Sequence, residues 1–154
     1  MKQIVVLGGG ISGYGSAILA KKKGFGVFLS DAGRIADRYK AKLDEWEVPY
    51  EEGGHTEERI LAATEVVKSP GIPDTAPMVR KIREAGIPVI SEMEFAGRYM
   101  GKAKCICITG SNGKTTTTSL IYKIMRDAGM NVALGGNIGE SLSLIHISEP
   151  TRRS

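Results

Sequence analysis

A lysine in a glycine-rich turn is the residue of this chain best suited to chemistry. Glycines let backbone N–H groups approach phosphate oxygens, and a helix that begins after the turn adds partial positive charge. The ammonium group of Lys114 can neutralise the terminal phosphates of a nucleotide, and the Thr115 hydroxyl can bind Mg²⁺. We therefore predict an ATP and Mg²⁺ site, with Lys114 and Thr115 as the catalytic residues and Thr115 as the metal ligand. The predicted ATP-binding residues are Gly110, Ser111, Asn112, Gly113, Lys114, Thr115 and Thr116.

The spacing of this turn departs from the common phosphate-binding loop, G-x-x-x-x-G-K-[ST]. The position five before Gly113 is Ile108, and the nearest upstream glycine is Gly110. Residues 105–108 are predicted to form a strand and residues 117–128 a helix, which is the context that a phosphate site requires. We interpret the turn as a variant phosphate loop. The alternative is a glycine-rich turn with a surface lysine.

A second glycine pattern, G-x-G-x-x-G, lies near the start of the chain. Gly8, Gly10 and Gly13 follow a predicted strand at residues 3–7 and open a predicted helix at residues 14–23. Asp31 ends the next predicted strand and could bind a ribose or a base. The pattern predicts a nucleotide-like ligand and, taken alone, would suggest NAD. The alternative is close packing of helix on strand, with Asp31 as an ordinary loop residue.

Strands alternate with helices through the first hundred residues, which predicts a parallel sheet. The fold class is α/β: a Rossmann-like, doubly wound parallel sheet over residues 1–100, followed by the start of a P-loop ATPase-type α/β domain over residues 101–141. Further helices are predicted at residues 35–46, 56–62, 77–85 and 91–100, and further strands at 27–30, 65–68, 88–90 and 131–134.

The last thirteen residues do not read as native protein. Residues 142–152 match, in one frame, the translation of a transposase-type sequencing adapter. We therefore predict that residues 142–154 are adapter-derived and leave them out of the fold. The alternative is a native C-terminal segment.

Composition excludes several function classes. The net charge is +4, and the basic residues are scattered without interleaved aromatic side chains, so we expect no nucleic acid partner. No run approaches the ~20 apolar residues that span a bilayer, and no signal-peptide pattern precedes the first strand. We expect a cytoplasmic protein without a membrane partner. Cys105 and Cys107 are expected to be buried free thiols, and His55 is expected to be a solvated loop residue.

The order of four motifs resembles the Mur ligase family, the ATP-dependent enzymes that form amide bonds in the bacterial cell-wall precursor. The motifs are G-G-G-I-S-G at residues 8–13, S-P-G-I-P at 69–73, T-G-S-N-G-K-T-T at 109–116 and G-G-N-I-G at 135–139. They are most similar to the branch that adds D-glutamate to UDP-N-acetylmuramoyl-L-alanine. The alternatives are a sister branch such as MurC, which has His at the position of Asn112, and a nicotinamide-dependent oxidoreductase.

The resemblance implies a reaction and a set of contacts. ATP phosphorylates the carboxylate of UDP-N-acetylmuramoyl-L-alanine, and the amine of D-glutamate attacks the acyl phosphate. The family's later metal-binding residues and third domain have no counterpart in this sequence, so we expect this chain alone to be inactive and its parent to be a monomer. The residues implied at the UDP-linked substrate are Ile11, Ser12, Asp31, Ser69, Gly71 and Asn137.

Overall fold

Five parallel strands form one sheet in the computed structural model, which describes residues 1–135 and 143. The strands are β1 (Gln3–Leu7), β2 (Gly26–Asp31), β3 (Tyr50–Glu52), β4 (Glu65–Lys68) and β5 (Val89–Ser91). Their spatial order is β3-β2-β1-β4-β5, so the direction in which strands are added reverses between β1 and β4. The sheet is the Rossmann-like, doubly wound parallel sheet that the sequence predicts.

Helices cover both faces of this sheet. They are α1 (Ile11–Lys22), α2 (Asp37–Glu45), α3 (Glu57–Leu61), α4 (Pro77–Glu84) and α5 (Glu92–Gly97). Side chains of α1, α2 and α5 share one apolar cluster with Ile4 and Val6, whereas side chains of α3 and α4 share a second cluster with Val5 and Leu7. Successive residues of a strand point to opposite faces, so β1 contributes to both clusters and is the buried centre of the domain.

Most predicted elements of the first domain are confirmed, with small shifts at their ends. The exception is β3, which the sequence reasoning missed. Its residues, Tyr-Glu-Glu, lack the apolar run of a buried strand. Among the described residues they pair with β2 alone, in the register Leu29 with Tyr50 and Ser30 with Glu51. A short polar edge strand is held by its neighbour and not by its own propensity.

A serine cap begins α5, which confirms the predicted start of this helix near residue 91. The Ser91 hydroxyl accepts a hydrogen bond from the Glu94 backbone N–H at 3.1 Å. Replacing Ser91 with alanine leaves that donor unpaired and is expected to lower the free energy of unfolding by about 1 kcal/mol. Denaturant unfolding of the variant measures the loss. The matched control is Ser91→Asp, which keeps an acceptor and should retain most of the stability; equal losses in both variants would contradict the cap.

The segment after residue 100 differs from the prediction. The helix α6 (Lys114–Asp127) is present, but residues 105–108 form no strand, and none is found at residues 131–134. A parallel strand needs a hydrogen-bonded neighbour, and none of the described residues pairs with either run. Cys105 and Cys107 are exposed, so the expectation that their thiols are buried is wrong; their sulfur atoms are 3.6 Å apart.

Two further findings concern membrane-spanning helices and the predicted adapter-derived tail. Among the described residues, no helix has the length and apolar character needed to traverse a bilayer. Ser143, within the predicted adapter-derived tail, is buried, and its hydroxyl lies 3.3 Å from the Ser16 hydroxyl and 3.4 Å from Glu92 Oε1. The rest of that tail lies outside the described residues, and the domain division stays a prediction.

Candidate nucleotide site

The turn after β1 brings the backbone very close to the first turn of α1. Gly8 has φ +94°, which favours glycine, and a Cβ added to Gly8 would lie 2.7 Å from Ser69 Oγ. A Cβ added to Gly13 would lie only 1.7 Å from the Gly8 carbonyl oxygen. Gly10 caps α1 without a side-chain hydrogen bond, so the first N–H groups of α1, at Ile11 and Ser12, face the carboxyl end of the sheet. This is the geometry of an anion site at a helix N-terminus.

Asp31, at the end of β2, is tied to this turn by two hydrogen bonds. One carboxylate oxygen accepts from the Gly9 N–H at 2.5 Å, and the other accepts from the Gly33 N–H at 2.7 Å. Each carboxylate oxygen can accept a further bond. Asp31 therefore positions the glycine turn and still presents acceptors to a ligand.

Ser69 directly follows β4, the strand that pairs with β1 on the side opposite β2. Its backbone N–H donates to the Leu7 carbonyl at 3.0 Å, which places Ser69 beside the glycine turn. Its hydroxyl is the one buried side-chain polar atom without a hydrogen-bond partner among the residues that the structure describes. An unpaired buried hydroxyl costs free energy, and a ligand oxygen at the turn would satisfy it. Gly71, two residues on, is exposed.

A cavity of about 370 Å³ opens next to these residues. Its polar side includes Asp31 and His55, and its apolar side includes Ile72, Pro77 and Met78. A cavity lined by apolar side chains and a few polar groups suits a heterocyclic base. The structure thus brings Ile11, Ser12, Asp31 and Ser69 to one edge of the sheet, at the point where the strand order reverses.

The sequence reasoning missed a polar network beside this cavity. The buried Ser30 hydroxyl lies 2.6 Å from Glu51 Oε1 and 2.7 Å from His55 Nδ1. Glu51 also accepts from the backbone N–H of Thr56 at 2.8 Å and from its hydroxyl at 2.5 Å. His55 is half-buried, so the expectation of a solvated loop histidine is wrong.

The network predicts a pH dependence of stability. Burial opposes ionisation of Glu51, but the hydrogen bonds from Ser30 and Thr56 outweigh it and lower the pKa of Glu51. A carboxyl whose pKa is lower in the folded state stabilises the protein above its unfolded pKa, about 4.3, and this stabilisation is lost as the pH falls through the folded value. We expect the Glu51→Gln variant to be less stable than wild type at pH 7 and the difference to shrink below pH 4.

Unfolding free energies of both proteins between pH 3 and pH 7 measure this difference. The matched control is Glu58→Gln, an exposed glutamate on α3. A stability gap between wild type and Glu51→Gln that stays constant over this pH range would contradict the role of the Glu51 charge.

The predicted phosphate loop forms a second, separate site. Gly110 and Gly113 have φ +148° and +76°, and Gly113 caps α6 in the left-handed region. The Lys114 ammonium folds back onto the loop, where it donates to the Gly110 carbonyl and to the Ser111 carbonyl, the latter at 3.4 Å. Ser111, Asn112, Thr115 and Thr116 are exposed. Asn137 lies outside the described residues.

Two family models match the chain. Residues 2–91 match the Mur ligase MurD-like N-terminal domain, and residues 108–153 match the Mur ligase middle domain. The chain belongs to the Mur ligase family. The two matches follow one another along the chain in the order that the motif resemblance implied, and the Rossmann-like sheet lies within the first of them.

Curated members of the Mur ligase family support this assignment. The chain is 65% identical over 144 residues to the UDP-N-acetylmuramoylalanine--D-glutamate ligase of Bacteroides fragilis, and 62% identical to that of Bacteroides thetaiotaomicron. The matches cover 94% of this chain but 32% of each relative, so the chain spans about a third of the length of these relatives.

Solved Mur ligase structures share the fold. A murein peptide ligase from Psychrobacter arcticus superposes with a TM-score of 0.62 at 26% identity, covering 84% of this chain and 27% of that one. A pseudomurein peptide ligase type C from Methanothermus fervidus gives a TM-score of 0.59 at 27% identity, covering 86% and 29%.

Proposed function

We propose that this chain is the N-terminal part of an ATP-dependent, ADP-forming ligase that joins D-glutamate to UDP-N-acetylmuramoyl-L-alanine in peptidoglycan precursor synthesis. The observation that carries the proposal is the carboxyl end of the sheet around β1, where the Gly8 turn, Asp31 from β2 and the unpaired Ser69 hydroxyl after β4 meet. The names of the relatives support the D-glutamate branch over MurC and a ligase over an oxidoreductase. The parent enzyme works as a monomer in the cytoplasm.

The first domain holds the UDP end of the substrate. The N–H groups of Ile11 and Ser12, at the positive end of α1, bind the diphosphate. Asp31 accepts hydrogen bonds from the nucleoside, and the Ser69 hydroxyl and the Gly71 backbone complete the site from β4. Asn137 contacts the substrate on the side of the next domain. No carboxylate lies in the first turn of α1 to repel an anion.

The phosphate loop holds ATP. The N–H groups of Gly110, Ser111, Asn112 and Gly113 line the β- and γ-phosphates, and Thr116 supports the start of α6. On nucleotide binding, the Lys114 ammonium exchanges the loop carbonyls for phosphate oxygens, where its charge opposes the negative charge that develops during transfer. The exposed Thr115 hydroxyl, a hard oxygen donor at the start of α6, suits Mg²⁺. When bound, the ion supplies charge neutralisation between the phosphates.

The chain of 154 residues alone does not complete the ligation. Its phosphate loop is exposed, and α6 buries none of its residues, so no part of the described chain excludes water from a reacting acyl phosphate. Incubation with ATP, UDP-N-acetylmuramoyl-L-alanine and D-glutamate should release no ADP above the blank. Turnover above the blank would contradict this part of the proposal.

Substrate binding by the chain tests the proposed UDP-binding site of the first domain. We expect the chain to bind UDP-N-acetylmuramoyl-L-alanine, and we expect Asp31→Asn to weaken binding about tenfold, because a charge-assisted hydrogen bond becomes a neutral one. Isothermal titration calorimetry measures both affinities. The control is Asp127→Asn, an exposed carboxylate at the end of α6. Absence of binding by wild type would contradict the proposed function; unchanged binding by Asp31→Asn would remove only Asp31 from the site.

A further inference from the structure

The Ser30 hydroxyl lies within hydrogen-bond distance of a carboxylate and an imidazole. It has one proton and can donate to only one of them. Glu51 Oε1 is 2.6 Å away and His55 Nδ1 is 2.7 Å away. Ser30 is fully buried, so no water replaces either contact. Ser30 and Glu51 are direct partners in the pairing of β2 with β3, which fixes their separation through the backbone.

The ionised state of Glu51 decides where the Ser30 proton lies. A carboxylate only accepts, and the two hydrogen bonds that Thr56 donates favour the ionised form of Glu51 at neutral pH. Ser30 must therefore donate to Glu51, because two lone pairs would otherwise face each other at 2.6 Å. The Ser30 oxygen is then an acceptor for His55, so the His55 proton lies on Nδ1. In the neutral ring Nε2 is consequently unprotonated.

His55 lines the cavity together with Asp31 and the apolar residues Ile72, Pro77 and Met78. No hydrogen bond to His55 Nε2 is found within the described residues. The network thus gives one of the residues that line the cavity a fixed hydrogen-bond acceptor, Nε2 of His55. A planar base that packs against the apolar side chains would bind more tightly if the edge that faces His55 carries an N–H donor.

We infer that His55 is a specificity-determining residue, whose Nε2 accepts a hydrogen bond from the imide N–H of the uracil ring and so discriminates against cytosine. Uracil carries a hydrogen at N3, whereas cytosine carries a lone pair there. With cytosine, two acceptors would face each other and His55 Nε2 would stay unpaired. The inference rests on the proposed function, since it assigns the base of the UDP-linked substrate to this cavity.

The position of the proton is tested first, without any ligand. The chain contains two histidines, His55 and His146, so the His146→Gln variant leaves a single imidazole. Long-range proton–nitrogen NMR correlations at pH 8 distinguish the two neutral tautomers. We expect the proton on Nδ1, and we expect the additional substitution Ser30→Ala to abolish this preference. A proton on Nε2 in the His146→Gln protein would overturn the inference, because Nε2 would then be a donor.

The role in specificity is tested with UDP and CDP as probes. Wild type should bind UDP about tenfold more tightly than CDP, as expected for one hydrogen bond whose loss leaves a partner unpaired. His55→Asn keeps an amide N–H at the position of Nδ1 but has no atom at Nε2, so its UDP affinity should fall to that for CDP. His55→Gln, which can place an amide oxygen near Nε2, should restore part of the preference.

The two proposals fail in different ways. If wild type binds neither nucleotide, the proposed function is wrong and the ligand assigned to His55 is wrong with it. If wild type binds UDP and His55→Asn keeps the full preference for UDP over CDP, only the role of His55 is overturned. If His55 has only a structural role, His55→Asn would lower the affinities for UDP and CDP equally and leave their ratio unchanged. That result would also overturn the inference.

Discussion

Replacing Lys114 with alanine, in a full-length ligase that carries this N-terminal sequence, is expected to lower kcat/KM by about 10²–10³-fold. Lys114 is the first residue of α6, and its ammonium already lies over the loop that would hold the phosphates, bonded to the carbonyls of Gly110 and Ser111. The ammonium has only to exchange these two carbonyls for phosphate oxygens to act on the transferring phosphoryl group. Its removal takes away one of the positive charges that oppose the negative charge developing on that group.

The measurement is ADP release coupled to D-glutamate addition, with ATP varied to separate kcat from KM. Lys123→Ala is the matched control, because Lys123 lies on the same helix and, within the described part of the chain, forms an ion pair with Asp127 at the exposed surface, at 2.8 Å. We expect the control to keep near-wild-type activity. Wild-type kcat/KM in the Lys114→Ala enzyme would show that the glycine-rich turn is a structural turn with a surface lysine.

Replacing Gly13 with alanine is expected to be the most destabilising single-methyl change in the first domain. The new Cβ would lie 1.7 Å from the Gly8 carbonyl oxygen, a backbone atom that no rotamer change can move. Helix α1 would have to shift off β1, where it packs Ala17 and Leu19 against the core. We expect a loss of at least about 3 kcal/mol, since overpacking against backbone exceeds the usual cost of a misfit side chain.

Thermal and urea unfolding measure this loss, which corresponds to a fall in Tm of more than about 12 °C for a domain of this size. Gly10→Ala is the matched control. Gly10 has φ −75°, and an added Cβ would meet nothing within 4 Å, so that variant should lose no more than about 1 kcal/mol, the cost of alanine at a helix N-cap. A Gly13→Ala protein as stable as Gly10→Ala would contradict the close approach of α1 to β1.

The sequence predicted the first sheet well because its strands and helices carry strong local signals. The apolar run at residues 3–7, the glycine turn and the terminal Asp31 each point to the same βαβ unit, and β1 has the predicted bounds. Agreement between propensity, turn chemistry and hydrophobic pattern is what makes such a segment predictable. The position of Ser69 beside the glycine turn follows from the pairing of β1 with β4.

The polar network escaped prediction for a physical reason. Ser30, Glu51 and His55 meet only because β3 pairs with β2, and the Tyr-Glu-Glu sequence of β3 carries no strand signal. Once β3 is missed, Glu51 and His55 read as unrelated loop residues. The error at residues 105–108 has the opposite cause, because a run with strand propensity forms no strand when no described segment pairs with it.

The strand order has a consequence for how the site comes into being during synthesis. β1, β2 and β3 can pair in the order in which they leave the ribosome, but β4 must return to the far side of β1, across more than fifty residues of intervening chain. Until it does, Ser69 is absent from the glycine turn and one side of β1 stays open to solvent. The nucleotide site therefore cannot form on a nascent chain that stops short of β4. Binding of UDP by nascent chains of increasing length would show when β4 pairs with β1.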